Sequence, residues 1–311
     1  MFRRFRSYKK TIPISGDKTI SCCFTNDKPN LETIVLLNGS VFHLHQWDYF
    51  IRFGFFMNKD FNYRLLRYDY PGTGNSLTFN PRWEIWECAD DLNRLLTENK
   101  IDKVHLYGIS KGTLVAQAFA LKYPEKVISI AGWGWFNLCY SRLIDLKTVN
   151  EKRIRLLELM KDYWILPLDK EIYKKLWRLT LSKMIFKRYQ RELNIIHRIV
   201  AFYIKRLFYR IIHPTPIKII HDWFWYALHG LPKERSRFRR MFKRIYHLPV
   251  LIQHSENDET LPVNMSKELC QLIPQAKLSL YGGFYTHISV MFHPLQSRKI
   301  AGEYLKFLKH L

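Results

Sequence analysis

The sequence predicts an α/β fold: a mostly parallel sheet interrupted by a basic, all-helical insertion. Three observations carry that expectation. Strand and helix patterns alternate at the spacing of crossover units through the first 139 residues. A Gly-x-Ser-x-Gly stretch, Gly108-Ile109-Ser110-Lys111-Gly112, stands between a strand pattern and a helix pattern. The alternation stops near residue 140 and resumes near 246, dividing the chain into 1–139 (first core part), 140–245 (helical insertion) and 246–311 (second core part). With 311 residues, 47% of them hydrophobic, the chain can bury a large core.

The elements follow in order. Lys10 to Ile14 and Lys18 to Phe24 alternate as two antiparallel strands around a Ser15-Gly16-Asp17 turn. Glu32 to Gly39 is a buried strand, because four consecutive apolar residues run into a Gly-containing loop. Helical patterning spans Trp47 to Met57, and Tyr63 to Tyr70 is the next strand, stopped by Pro71-Gly72-Thr73-Gly74. A helix from Arg82 to Asn99 precedes the strand Val104 to Ser110; a helix from Thr113 to Tyr123 and a strand from Val127 to Ala131 follow it. The rhythm breaks at Gly132-Trp133-Gly134-Trp135, and helical patterning runs to about Tyr246, with Lys187 to Ile212 as one long amphipathic helix. Leu248 to Gln253 and Lys277 to Tyr281 are the last strands; Val263 to Leu272 and Leu295 to Leu311 are the last helices.

A serine on a strand-to-helix turn needs glycines around it, since strand and helix come too close for side chains. The turn forces the serine into a strained conformation that points its oxygen outward. Such a serine requires a base and a carboxylate to orient that base. Asp258 sits just past the strand Leu248 to Gln253, with Pro262 opening the next helix; Glu256 and Glu259 compete with it. His287 lies in the Gly-rich loop after the last strand, with His293 as its alternative. The backbone N–H groups of Ser40 and Lys111 are the expected donors to a developing oxyanion. The Lys111 side chain reads first as a solvated first-turn lysine and second as a contact for an acidic substrate. Asp69, Gly72, Gly74 and Ser76 read as a tight turn. His43 and His45 lack a partner at ligand spacing, so no metal and no cofactor is expected.

These motifs together resemble the α/β-hydrolase superfamily over residues 9–139 and 246–311. The matching elements are Asn38-Gly39-Ser40, Asp69 through Ser76, the elbow at Ser110, Asp258 with Pro262, and His287 seven residues before Pro294. Two departures stand out: Asn38 replaces the usual histidine, and Gly-Phe-Tyr-Thr-His replaces Gly-His. The resemblance implies a serine hydrolase of esterase or thioesterase type, acting through an acyl-enzyme. Acyl transfer from an acyl-CoA or acyl-carrier donor is the alternative, and a non-catalytic binding protein of the same fold comes third, opposed by the intact Ser-Asp-His set.

Charge is concentrated in one place. The chain carries a net +23, and residues 141–250 hold 26 Lys/Arg against 9 Asp/Glu, with 24 against 18 elsewhere. The densest stretch runs from Glu234 to Arg244. An anionic acyl carrier or an anionic membrane surface suits it; nucleic acid is the least supported partner, because no nucleic-acid motif accompanies the charge. Trp133, Trp135, Trp164 and Trp223 are candidate substrate contacts for an apolar acyl group. Five cysteines without a metal-like spacing suggest reduced thiols and a cytoplasmic setting, with peripheral membrane contact open.

Overall fold

The computed structural model describes residues 6–40, 42–79, 83–139, 151, 154–155, 157–159, 171, 215–258 and 260–311. Eight strands form one sheet: β1 (Ser7–Ser15), β2 (Lys18–Thr25), β3 (Thr33–Leu37), β4 (Arg64–Tyr68), β5 (Val104–Ser110), β6 (Val127–Trp135), β7 (Val250–Ser255) and β8 (Ala276–Tyr281). Their spatial order is β1-β2-β4-β3-β5-β6-β7-β8. β1 pairs with β2, and β2 with β4, antiparallel; the pairings from β4 across to β8 are all parallel. Parallel strands covered on both faces read as unbroken apolar runs, and β3 and β5 are buried at every residue.

Successive residues of β5 face opposite sides of the sheet. Tyr107 packs against Phe50 and Tyr304, with ring centroids 5.4 and 4.7 Å away, which puts the helical run Leu44–Phe55 and the helix Pro294–Leu308 on that face. Gly108 points the other way, onto the helix Lys111–Lys122: a Cβ there would lie 2.5 Å from the Gly112 carbonyl carbon. Gly112 is as tight, 2.1 Å from the Leu37 oxygen. Strand and helix pack backbone to backbone at this turn, which is the reason for both elbow glycines.

The core elements lie within a few residues of their expected bounds, with one informative exception. β6 does not stop at Ala131 but continues through Trp135. Its register to β5 shifts between the pairs Ile109↔Trp133 and Ser110↔Trp135, leaving Gly134 as the extra residue of a bulge, at φ +60°. The break in rhythm at Gly132-Trp133-Gly134-Trp135 is therefore a bulged strand end. Trp133 and Trp135 are correspondingly not substrate contacts but buried core: the Trp133 indole donates to the His287 carbonyl at 2.9 Å, and that of Trp135 to the Gly132 carbonyl at 2.7 Å.

Within the expected insertion, the helices Ile217–Trp225 and Leu231–Met241 are joined through Tyr226–Gly230. They pack on the first core part: Trp223 against Trp83 and Phe136, Phe238 against Trp86, and Arg235 Nε on the Cys139 carbonyl at 3.1 Å. Arg239, Arg240, Lys243 and Arg244 are exposed, while Phe238, Phe242 and Ile245 are buried. Trp164, Glu259 and the helix expected over Lys187 to Ile212 lie outside the described residues. Among the described residues no helix is long and apolar enough to cross a membrane.

Candidate active site

In a parallel sheet the loops after each strand gather along one edge. Ser110 ends β5 there, at φ 53° and ψ −119°, a conformation that costs a non-glycine residue about 1–3 kcal/mol and persists only where its surroundings impose it. The close backbone contacts of Gly108 and Gly112 impose it. The side chain stands at the N-terminus of Lys111–Lys122.

Asp258 and His287 come from the loops after β7 and β8. His287 Nδ1 is 2.7 Å from Asp258 Oδ2, and the carboxylate is fully buried. Asp258 Oδ1 accepts the backbone N–H groups of Thr260 and Leu261 at 2.8 and 2.9 Å. Burial alone would raise its pKa; the His287 ring, then the His254 hydrogen bond, outweigh burial and hold the carboxyl well below the usual range. Asp258 is thus an anion that orients His287 with its Nδ1–H toward the carboxylate, which leaves the ring's lone pair on Nε2.

The competing residues are elsewhere. Glu256 is exposed. His293 is exposed and caps the last helix, accepting the Gln296 N–H on Nδ1 at 3.3 Å. The longer Gly-Phe-Tyr-Thr-His loop still delivers His287 to the edge, held there by the Trp133 contact to its carbonyl.

The bulge joins the two halves of the site. Trp135 is in register with Ser110, and the residue before it touches the His–Asp pair: a Cβ on Gly134 would come within 2.8 Å of His287 Nδ1 and Cε1 and 3.4 Å of Asp258 Oδ2. Only glycine allows both the positive φ and this approach.

Lys111 follows the serine directly and Ser40 follows β3, the strand beside β5; neither backbone N–H donates to an acceptor among the described residues. Asn38, standing where a histidine is usual, ties the Ser40 loop down. Its amide nitrogen donates to the Tyr68 carbonyl at 2.7 Å, and its oxygen accepts from Gln46 Nε2 and Trp47 Nε1, both at 2.9 Å. Asp69 accepts the backbone N–H of Leu44 and of Asn75, and Ser76 Oγ donates to the Asp69 carbonyl, so this segment holds a turn.

Two features escaped the sequence reading. His254, fully buried at the end of β7, places Nε2 3.2 Å from Asp258 Oδ2 and 3.1 Å from the Leu261 carbonyl. Its Nδ1 lies 3.2 Å from the Trp135 N–H and 2.6 Å from Ser266 Oγ. The second corrects the first reading of Lys111: its side chain is not solvated but buried, 2% exposed, among the rings of Tyr70, Trp83 and Trp223.

The model of the α/β-hydrolase fold family matches residues 32–136. A proposed 2-succinyl-6-hydroxy-2,4-cyclohexadiene-1-carboxylate synthase of Bacillus subtilis is 27% identical over 150 residues, 47% of this chain and 50% of that protein. An AB hydrolase superfamily protein of Gibberella zeae is 31% identical over 120 residues, 37% of this chain and 39% of that one. The chain thus spans half or less of the length of these curated relatives. Among solved structures, a thermophilic esterase from Thermogutta terrifontis, with malate bound, superposes with a TM-score of 0.70 at 18% identity, covering 96% of this chain and 98% of that one. Sheet order, elbow and the match over residues 32–136 agree on the α/β-hydrolase fold.

Proposed function

We propose that the protein is a serine hydrolase that cleaves a carboxylic ester or thioester through an acyl-enzyme on Ser110. The observation that carries this reading is the strained Ser110 at the sheet edge, in register with the bulge whose glycine abuts the His287–Asp258 pair.

In the first step Ser110 Oγ bonds to the scissile carbonyl carbon while His287 Nε2 takes the hydroxyl proton. The carbonyl oxygen becomes an oxyanion facing the N–H groups of Ser40 and Lys111, donors already in place before the charge develops. Collapse breaks the bond to the leaving group, which takes the proton from His287. Water, deprotonated by the same nitrogen, then releases the acid and restores Ser110. Asp258 stays ionised throughout and steadies the imidazolium.

Labelling with a fluorophosphonate probe tests this directly. Wild-type protein should label covalently and Ser110→Ala should not, with kcat on the best p-nitrophenyl ester falling by at least about 10³. A Ser110→Ala protein of near wild-type activity would refute the assignment.

A further inference from the structure

Lys111 uses its backbone beside the serine and keeps its side chain in an unusual place. Its Nζ lies 4.4 Å from the ring centroid of Tyr70, 5.3 Å from that of Trp83 and 6.0 Å from that of Trp223. Among the described residues no carboxylate pairs with it and no oxygen accepts a hydrogen bond from it. Burial pulls its pKa down to about 8, and the buried Cys88 thiol acts on it in the opposite sense. Ring faces attract a cation, but they satisfy none of the three donors of an ammonium. A buried charge without an acceptor is costly unless a partner arrives.

We propose that the Lys111 ammonium receives a carboxylate carried on the acyl portion of the substrate, making the enzyme selective for anionic acyl esters. This rests on the serine-hydrolase reading above. The side follows from the strand order. Tyr70 and Trp83 follow β4 in the chain, whereas His287 follows β8, on the far side of β5. The leaving group must stand by His287, which protonates it, so the group reaching Lys111 belongs to the acyl chain. A four-carbon stem gives Nζ a reach of about 6 Å from its own backbone, which suits a carboxylate a few carbons from the scissile carbonyl. One ammonium in an aromatic cage balances one flat monoanion; a phosphate dianion would leave buried charge in excess.

The test compares mono-p-nitrophenyl glutarate with p-nitrophenyl pentanoate, which share the leaving group and the length of the acyl chain. Wild type should show the higher kcat/KM on the glutarate ester, and the preference should hold between 0.05 and about 0.5 M salt because the cation is buried. Lys111→Met keeps the backbone N–H and the bulk of the stem, and should lower the ratio of the two kcat/KM values by at least about 30-fold. The ratio cancels any effect on the shared chemical step. An unchanged ratio overturns the proposal, as does a wild type with no preference, a result that needs no variant. Failure to hydrolyse either ester, with no probe labelling, would instead sink the serine reading. The cation site then stands or falls on thermal melts: free glutarate should raise Tm of wild type and not of Lys111→Met. A rise with inorganic phosphate but not with glutarate overturns the carboxylate assignment.

Discussion

The two flanks of Ser110 differ in how their polar groups are partnered. On the β7–β8 side every side-chain nitrogen and oxygen of Asp258 and His254 meets a partner, and His287 Nδ1 is engaged as well. On the β4 side the buried Lys111 ammonium faces three ring systems and, among the described residues, no acceptor. Internally satisfied groups hold one geometry through a reaction, and that suits an acid–base relay. A group left without an acceptor gains most when a ligand binds, and that suits selection among substrates. The contrast fits the proposed division of chemistry on one flank and recognition on the other.

The largest effect that could break this contrast lies on the relay side. His287→Ala should lower kcat by at least about 10³, as much as Ser110→Ala, because residues acting as one unit fail together. His293→Ala removes only a helix cap and should cost about 1 kcal/mol of stability, read in a urea melt, with kcat close to wild type. An active His287→Ala beside an inactive His293→Ala would reverse the relay.

The parts of the proposed relay were legible in the sequence because each sits at a strand end marked by local chemistry: glycines around Ser110, Pro262 after Asp258, Gly282 and Gly283 before His287. What was misread depends on contacts across the sheet. Gly132-Trp133-Gly134-Trp135 looks like a strand terminus, yet Gly134 is a bulge whose missing side chain makes room for a ring 153 residues later. His254 was passed over because β7 was expected to end at Gln253, whereas it runs buried to Ser255. The burial of Lys111 has a signal in its own helix: Leu114, Val115, Ala116, Ala118, Phe119, Ala120 and Leu121 leave that helix no solvated face, and a helix apolar all round is a buried one.

The recognition flank can be sharpened through pH. Below about pH 8 Lys111 is charged in both folded and unfolded chains, and the folded state bears the burial cost. Between about 8 and its ordinary 10.5 the folded protein gives up the proton while the unfolded chain retains it. The unfolded state then binds more protons, so this lysine's contribution makes stability rise with pH across that window and level off above it. At about 1.4 kcal/mol per pH unit the rise is at most about 3.5 kcal/mol. Urea melts of wild type and Lys111→Met from pH 7.5 to 10.5 isolate it, since the remaining titrations largely cancel in the difference. Parallel curves would mean that the ammonium is solvated and the two flanks are alike.

His254 gives the smallest effect and the finest test of the relay side. The Trp135 N–H points at Nδ1, making that nitrogen an acceptor and assigning the ring proton to Nε2, which faces Asp258 Oδ2 and the Leu261 carbonyl. The same Oδ2 holds His287, so His254 is a positioning residue acting through the carboxylate. His254→Leu removes one donor from that oxygen while keeping much of the volume. A carboxylate with fewer donors is more basic and grips the imidazolium harder. The acid limb of kcat/KM against pH should therefore move to higher pH, and kcat should fall about tenfold, at the lower end of what supporting hydrogen bonds contribute at comparable sites. His254→Gln, whose amide can donate from nearly the same place, should return the limb toward wild type. A fall in kcat with an unmoved acid limb in His254→Leu would make the histidine packing alone, and the relay would end at Asp258.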